Sequence, residues 1–66
     1  MEVLLNGKPY RTGAGATVRA LLAQLEMGPD YIAVELNQAI VKRKDWDHTT
    51  LQPGDRIEVV RLVGGG

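Results

Sequence analysis

Residues 1–12 have the sequence MEVLLNGKPYRT, which predicts a β-hairpin. Asn6-Gly7 at its centre is the strongest short hairpin signal, because a type I′ turn needs positive φ at both central residues. Apolar side chains alternate along the first strand, so that Leu4 falls on the face opposite its neighbours. Pro9 has no N–H to donate to a ladder, and the second strand is therefore predicted to lie at a sheet edge.

A short amphipathic helix is predicted after the hairpin, over about residues 18–27. An apolar stripe with spacing i, i+3, i+4 and i+7 is formed by Val18, Leu21, Leu22 and Leu25. Thr17 is a good N-cap, and Gly28-Pro29 is predicted to end the helix. An isolated helix of this length is unstable in water, so the stripe needs a sheet to pack on.

Three extended segments are predicted after the helix. Residues 32–37 alternate apolar and polar side chains, which is typical of a strand with one buried face. Residues 39–42 are predicted as a short strand after a turn, and residues 43–52, which contain Trp46, as irregular. The last strand is predicted over residues 56–62, after a Pro-Gly turn.

This order of elements predicts an α+β fold of the β-grasp, or ubiquitin-like, type. A mixed sheet of four to five strands would have one helix packed across one face. The first and last strands would lie side by side in the middle of the sheet. We expect a β-grasp domain over residues 1–62 and a flexible C-terminal glycine tail over residues 63–66.

Composition excludes several classes of function. The chain has 66 residues with no cysteine and one histidine, so thiolate zinc sites and disulfides are excluded. Eight basic and eight acidic residues balance, so no nucleic-acid partner is expected. The apolar runs are too short to span a membrane, and the N-terminus does not look like a signal peptide. We therefore expect a cytoplasmic location.

No side chain is a convincing catalytic or metal-binding residue. His48 adjoins Thr49 and Thr50, but sequence neighbours do not make a triad, and a surface loop histidine is the preferred interpretation. Asp45, Asp47 and His48 do not match a common metal-ligand spacing, so a solvated loop is favoured and no metal site is predicted.

Two other motifs are interpreted without a ligand. The Gly-Ala-Gly of residues 13–15 lacks the third glycine of a dinucleotide-binding loop, because Val18 stands there, so it is predicted to be a connector. The Lys-Arg-Lys of residues 42–44 is interpreted as a solvated basic run, with a charge contact to a partner as the alternative.

An apolar patch is predicted on the open face of the sheet. Val60 and Leu62 would face away from the helix and form an exposed partner-binding patch together with Leu4. The alternative is a β-bulge that turns Val60 and Leu62 inward.

The tail Val63-Gly64-Gly65-Gly66 is the second feature that predicts a partner. A chain without Cβ atoms can pass through a narrow channel and lie against another protein's backbone. Four extended residues reach about 14 Å, far enough to place the terminal carboxylate in a neighbouring active site. The alternative is a cloning linker or a frayed end.

Taken together, the chain resembles the sulfur carrier proteins of thiamine biosynthesis, the ThiS-type ubiquitin-like proteins. The resemblance covers essentially all 66 positions. It is carried by the Leu-Asn-Gly-Lys of residues 5–8, the helix Val18–Leu25, the strand Ile32–Asn37, Trp46, Leu51, the segment Pro53–Val60 and the tail Val63–Gly66.

The resemblance implies a defined chemical role for Gly66. An E1-like adenylyltransferase of the ThiF type would use ATP and Mg²⁺ to adenylate the Gly66 carboxylate. Sulfur from the persulfide of a cysteine desulfurase would then replace AMP, and the resulting thiocarboxylate would deliver sulfur to a thiazole synthase of the ThiG type. Val63, Gly64 and Gly65 would thread the partner's active site. The carrier would bind no cofactor itself and would be a cosubstrate rather than an enzyme.

Other readings of the same features remain open at this point. The small subunit of molybdopterin synthase uses the same terminal chemistry, as would a carrier for another pathway such as methionine synthesis or tRNA thiolation. A ubiquitin-like binding module with an incidental glycine tail belongs to a different class. An independent small enzyme is the weakest alternative.

Overall fold

In the computed structural model, the described residues are 1–27 and 32–62. Within them, five strands form one sheet and a single α-helix packs on it. The elements are β1 (Glu2–Leu5), β2 (Lys8–Arg11), α1 (Val18–Gln24), β3 (Ile32–Leu36), β4 (Ala39–Ile40), a 3₁₀ helix (Arg43–Asp45) and β5 (Arg56–Arg61). The described part of the chain contains no helix with the length and apolarity that a membrane crossing requires.

The strand order is β2-β1-β5-β3-β4, which confirms the predicted mixed sheet and β-grasp arrangement. β1 and β5 run parallel in the middle of the sheet, and the other neighbours are antiparallel. β2, which contains Pro9, lies at one edge as predicted. β5, in the middle of the sheet, is the last strand that the structure describes and leads to the C-terminal tail.

Both hairpins turn through residues with positive φ. Asn6 (φ 50°) and Gly7 (φ 83°) connect β1 to β2, which confirms the turn that the Asn-Gly pair predicted. Asn37 (φ 50°) and Gln38 (φ 72°) connect β3 to β4 with the same signs of φ but without a glycine. In the second hairpin, Gln38 therefore has a strained left-handed conformation that glycine would adopt without strain.

The N-cap of α1 is confirmed, but the predicted C-terminus is wrong. The Thr17 hydroxyl accepts a hydrogen bond from the Ala20 N–H at 3.1 Å. The helix ends at Gln24, because Glu26 adopts φ 56° and closes a Schellman-type motif. The Glu26 N–H donates to Ala23 O at 3.0 Å, and the Met27 N–H donates to Leu22 O at 3.1 Å. Gly28 and Pro29, the predicted stop, lie outside the described residues.

The core lies between α1 and the inner face of the sheet. Its buried apolar members are Val3, Val18, Leu21, Leu22, Val34, Trp46, Leu51, Ile57 and Val59. The predicted helix stripe and strand faces supply most of them. Trp46, at 2% exposure, comes from the segment that the sequence predicted to be irregular.

The Trp46 segment is fixed to the helix start by backbone hydrogen bonds. The Val18 N–H donates to Thr49 O at 3.0 Å, and the Leu51 N–H donates to Ala16 O at 2.8 Å. The indole N–H of Trp46 donates to Val41 O at 3.0 Å. These bonds explain how a segment without a periodic apolar pattern contributes a large side chain to the core.

Candidate functional site

β5 carries the chain from the centre of the sheet towards the C-terminal tail. The strand ends at Arg61, and Leu62, the last described residue, has 52% of its surface exposed. The predicted donor Gly66 and the predicted threading residues Val63, Gly64 and Gly65 lie outside the described residues. Their functional roles therefore remain predictions, and the structure describes the strand that precedes them.

Two asparagines from the hairpin turns bind β5, one at its first residue and one at Val59 in its second half. The Asn37 side chain accepts from the Arg56 N–H at 3.0 Å, and the backbone N–H of Asn37 donates to Arg56 O at 2.8 Å. The Asn6 side chain accepts from the Val59 N–H at 2.8 Å and donates to Val59 O at 3.2 Å. The strand that leads to the tail is thus hydrogen-bonded at two positions by turn side chains as well as by its neighbouring strands.

The inward-turning bulge that was the alternative for Val60 and Leu62 is not present. The pairing of β3 with β5 is continuous from Ile32 opposite Arg61 to Leu36 opposite Ile57. Strict alternation follows, with Ile57 and Val59 buried and Val60 51% exposed on the opposite face. Leu62 is exposed as well.

The structure does not bring Leu4 together with Val60. Leu4 lies opposite Arg56 in the parallel pairing of β1 with β5. Val60 is four residues further along β5, which corresponds to about 13 Å at the usual rise of a strand. Arg56 and Glu58, on the same face, lie between them. Leu4 is half-buried beside Gly7, Arg56 and Glu58, so the predicted three-residue patch is not one continuous surface.

Val60 and Leu62 instead belong to a surface on the β3–β4 side of the sheet. Val60 is the cross-strand partner of Ala33. Ala33, Leu62 and Ile40 line an open groove of about 350 Å³. Ile40 is the most exposed of the large hydrophobic side chains that the structure describes, at 75%. We define the groove surface as Ala33, Ile40, Lys42, Arg43, Trp46 and Leu62, all of which line it.

Ile40 falls in the predicted short strand over residues 39–42 but is not among the residues predicted to bind a partner. Its pairing with Glu35 puts it on the outer face of the sheet, since Val34 and Leu36 face the core. The signal that could have found it is the tight Asn37-Gln38 turn, which fixes the register of β4 against β3 and hence the face of each residue.

The polar candidates are exposed and dispersed. His48 is exposed, and its backbone N–H donates to Asp45 O at 3.0 Å. Among residues 1–27 and 32–62, no group of His, Asp and Glu is arranged to hold a metal ion. Asp47 instead pairs with Arg19 at 2.9 Å on the surface. The glycines of residues 13–15 form a turn, in which the Ala16 N–H donates to Gly13 O at 3.2 Å.

Comparison with known proteins gives one consistent match. The ThiS family model matches residues 3–66. The sulfur carrier protein ThiS of Escherichia coli is 36% identical over 66 residues, which is the whole of both chains. A crystal structure of the thiamine biosynthesis protein ThiS from Geobacter metallireducens is 35% identical, with a TM-score of 0.85 and full coverage of both chains.

Two longer relatives contain a region similar to the whole chain. The thiazole synthase of Magnetococcus marinus is 44% identical over 66 residues, and the chain spans 20% of its length. The thiazole synthase of Paramagnetospirillum magneticum is 35% identical over 66 residues, and the chain again spans 20% of its length.

Proposed function

The chain belongs to the ThiS family, the sulfur carrier proteins of thiamine biosynthesis, and on that premise we propose that it carries sulfur as a thiocarboxylate on Gly66. The observation that supports this most is the extent of the family match, which runs from residue 3 through the last glycine. A fold match alone would support only a ubiquitin-like scaffold.

The proposed chemistry needs no side chain of the carrier. A carboxylate is a poor acyl donor, and transfer of AMP from ATP gives it a good leaving group, with release of pyrophosphate. A persulfide sulfur then attacks the acyl carbon and displaces AMP. Two thiol groups of a reductant then reduce the remaining S–S bond and are themselves oxidised to a disulfide, which leaves the thiocarboxylate on Gly66 and the cysteine of the donor as a free thiol.

The geometry of β5 supports delivery of Gly66 to another protein's active site. Leu62 ends the described part of the strand on the surface, and four residues follow it. Four extended residues reach about 14 Å, so the folded body can stay outside while the terminus enters. Val63, Gly64 and Gly65 are proposed to thread the entrance channel, and the lack of Cβ atoms at the two glycines suits its narrowest part.

We propose three partner proteins. A ThiF-type adenylyltransferase would bind ATP and Mg²⁺ and activate Gly66, and a cysteine desulfurase would supply the persulfide. A thiazole synthase would receive the sulfur, which is supported by the chain's similarity to one fifth of two thiazole synthases. The carrier acts in this scheme as a cosubstrate and not as an enzyme, and the need for ATP favours the cytoplasm.

The proposal is tested by intact-mass spectrometry after incubation with the cognate adenylyltransferase, ATP, Mg²⁺, a thiol reductant and a cysteine desulfurase with cysteine. We expect the mass increase that corresponds to replacement of one oxygen by sulfur, located at Gly66 by fragmentation. A variant that lacks Gly66 is the matched control and should stay unmodified while remaining folded. An unchanged wild-type mass with an adenylyltransferase of verified activity would contradict the proposal.

A further inference from the structure

We propose that the groove surface is a docking site for an acidic, aliphatic segment of the thiazole synthase, placed beside the entrance through which Gly66 enters. This inference rests on the proposed function and adds to it the chemistry of the partner's contact. It also moves the expected interface from the β1 side of the sheet, where Leu4 lies, to the β3–β4 side.

Exposed hydrophobic side chains are concentrated at this groove. In the described part of the chain, the large exposed hydrophobics are Ile40 at 75%, Leu62 at 52% and Val60 at 51%. Ile40 and Leu62 line the groove, and Val60 lies opposite Ala33, which also lines it. Such clustering marks an interaction site, whereas single exposed hydrophobics are ordinary.

The charge of the groove favours an acidic occupant. Lys42 and Arg43 line it, and none of the described residues that line it is acidic. Glu35 pairs with Ile40 across the β3–β4 hairpin but lies outside the lining. Lys42 is exposed and makes no ion pair with any residue that the structure describes. The chain as a whole has no net charge, so the exposed ammonium group of Lys42 is a local positive charge at the groove.

The floor of the groove is rigid. Trp46 is 2% exposed and donates its indole N–H to Val41 O at 3.0 Å. The guanidinium groups of Arg19 and Arg43 lie 5.3 Å and 6.0 Å from the centre of its ring. A preformed surface loses little conformational freedom when a partner binds, which favours affinity.

The reach of the tail places the groove inside the footprint of any enzyme that acts on Gly66. Leu62 lines the groove, and the four following residues span about 14 Å at most. An enzyme that holds Gly66 must therefore bring its surface to within about that distance of Leu62. A standard interface covers about 800 Å² on each partner, which is broad enough to include the groove.

The test is the affinity of the cognate thiazole synthase for the full chain, measured by calorimetry at low and at moderate salt. Ile40→Asp places a carboxylate where the partner's segment would lie, and we expect the Kd to rise at least about tenfold. Lys42→Glu should raise the Kd several-fold and reduce its dependence on salt. Because both residues are exposed, melting curves should match that of the wild type.

Two controls make the outcome specific. Lys8→Glu makes the same charge change at an exposed lysine on β2, the far edge of the sheet, and should change the Kd by less than about twofold. Ile40→Thr keeps a β-branched side chain and replaces the aspartate variant if that variant fails to fold. It should also raise the Kd for thiazole synthase.

The inference is overturned if folded Ile40 variants bind like the wild type, or if Lys42→Glu has no more effect than Lys8→Glu. These results differ from failure of the proposed function, in which the wild-type chain acquires no thiocarboxylate at Gly66. If the chain is thiocarboxylated but none of the groove substitutions changes the Kd for thiazole synthase, only the proposed docking site is contradicted.

Discussion

The side-chain amide of Asn6 makes two hydrogen bonds with the backbone of Val59. Its oxygen accepts from the Val59 N–H at 2.8 Å, and its nitrogen donates to Val59 O at 3.2 Å. β1 has ended one residue earlier, so the amide of Asn6 takes the place of the next strand residue beside β5. One turn residue therefore forms part of the hairpin turn and also holds the strand that leads to the C-terminal tail.

Replacement of Asn6 with glycine separates these two roles. Glycine tolerates the positive φ of the turn but has no amide, so Asn6→Gly leaves the partly buried polar groups of Val59 without these partners. We expect the free energy of unfolding to fall by about 1–2 kcal/mol. Urea denaturation followed by circular dichroism measures it, and a stability equal to the wild type would show that the two bonds contribute nothing.

Replacement of Gln38 with glycine is expected to raise the free energy of unfolding, in contrast to the same replacement at Asn6. Gln38 has φ 72° without the conformational freedom of glycine, and Gln38→Gly removes the strain of the left-handed conformation. We expect a gain of about 0.5–1 kcal/mol in the free energy of unfolding. Gln38→Ala is the control, since alanine keeps the strain and should bring no gain. A destabilised glycine variant would contradict this account of the turn.

Trp46 is a core residue, and its indole N–H is expected to contribute to stability as well. Trp46→Phe preserves an aromatic ring but removes the N–H that donates to Val41 O at 3.0 Å. We expect a loss of about 1.5–3 kcal/mol, from the hydrogen bond and the reduced volume together. Thermal unfolding followed by circular dichroism measures it.

Asp47→Asn is the matched control for the Trp46 variant. It removes only the exposed pair with Arg19, whose side chains are 44% and 60% exposed, and should cost less than about 0.5 kcal/mol. If Trp46→Phe proved as well tolerated as Asp47→Asn, the stability of this segment would not depend on the indole.

Periodic patterns predict the parts of the fold that alternate or repeat locally. The Asn6-Gly7 turn, the apolar stripe of α1 and the buried face of β5 are each defined by short-range chemistry. The predicted helix end is wrong because Gly28-Pro29 is a strong stop signal, while the closure at Glu26 depends on the packing of Met27 against the core. Nothing local in the sequence distinguishes Glu26 from its neighbours as a left-handed residue.

Local sequence patterns do not predict the register between strands that are far apart in the sequence. Alternation indicates that Leu4 and Val60 share a face, but only the pairing of Leu4 with Arg56 shows that they lie far apart on it. The burial of Trp46 depends likewise on backbone pairing between residues 16–18 and 49–51, which leaves no periodic signal.

We propose above all that the sulfur bound to Gly66 is delivered to a thiazole synthase and enters the thiazole. The most direct measurement follows the thiocarboxylated chain, carrying isotopically labelled sulfur, during incubation with the cognate thiazole synthase and its remaining substrates. We predict that the mass of the chain returns to that of the carboxylate and that the label appears in the thiazole. Retention of the label on the chain with thiazole synthase, together with its loss to the large subunit of molybdopterin synthase, would contradict the account.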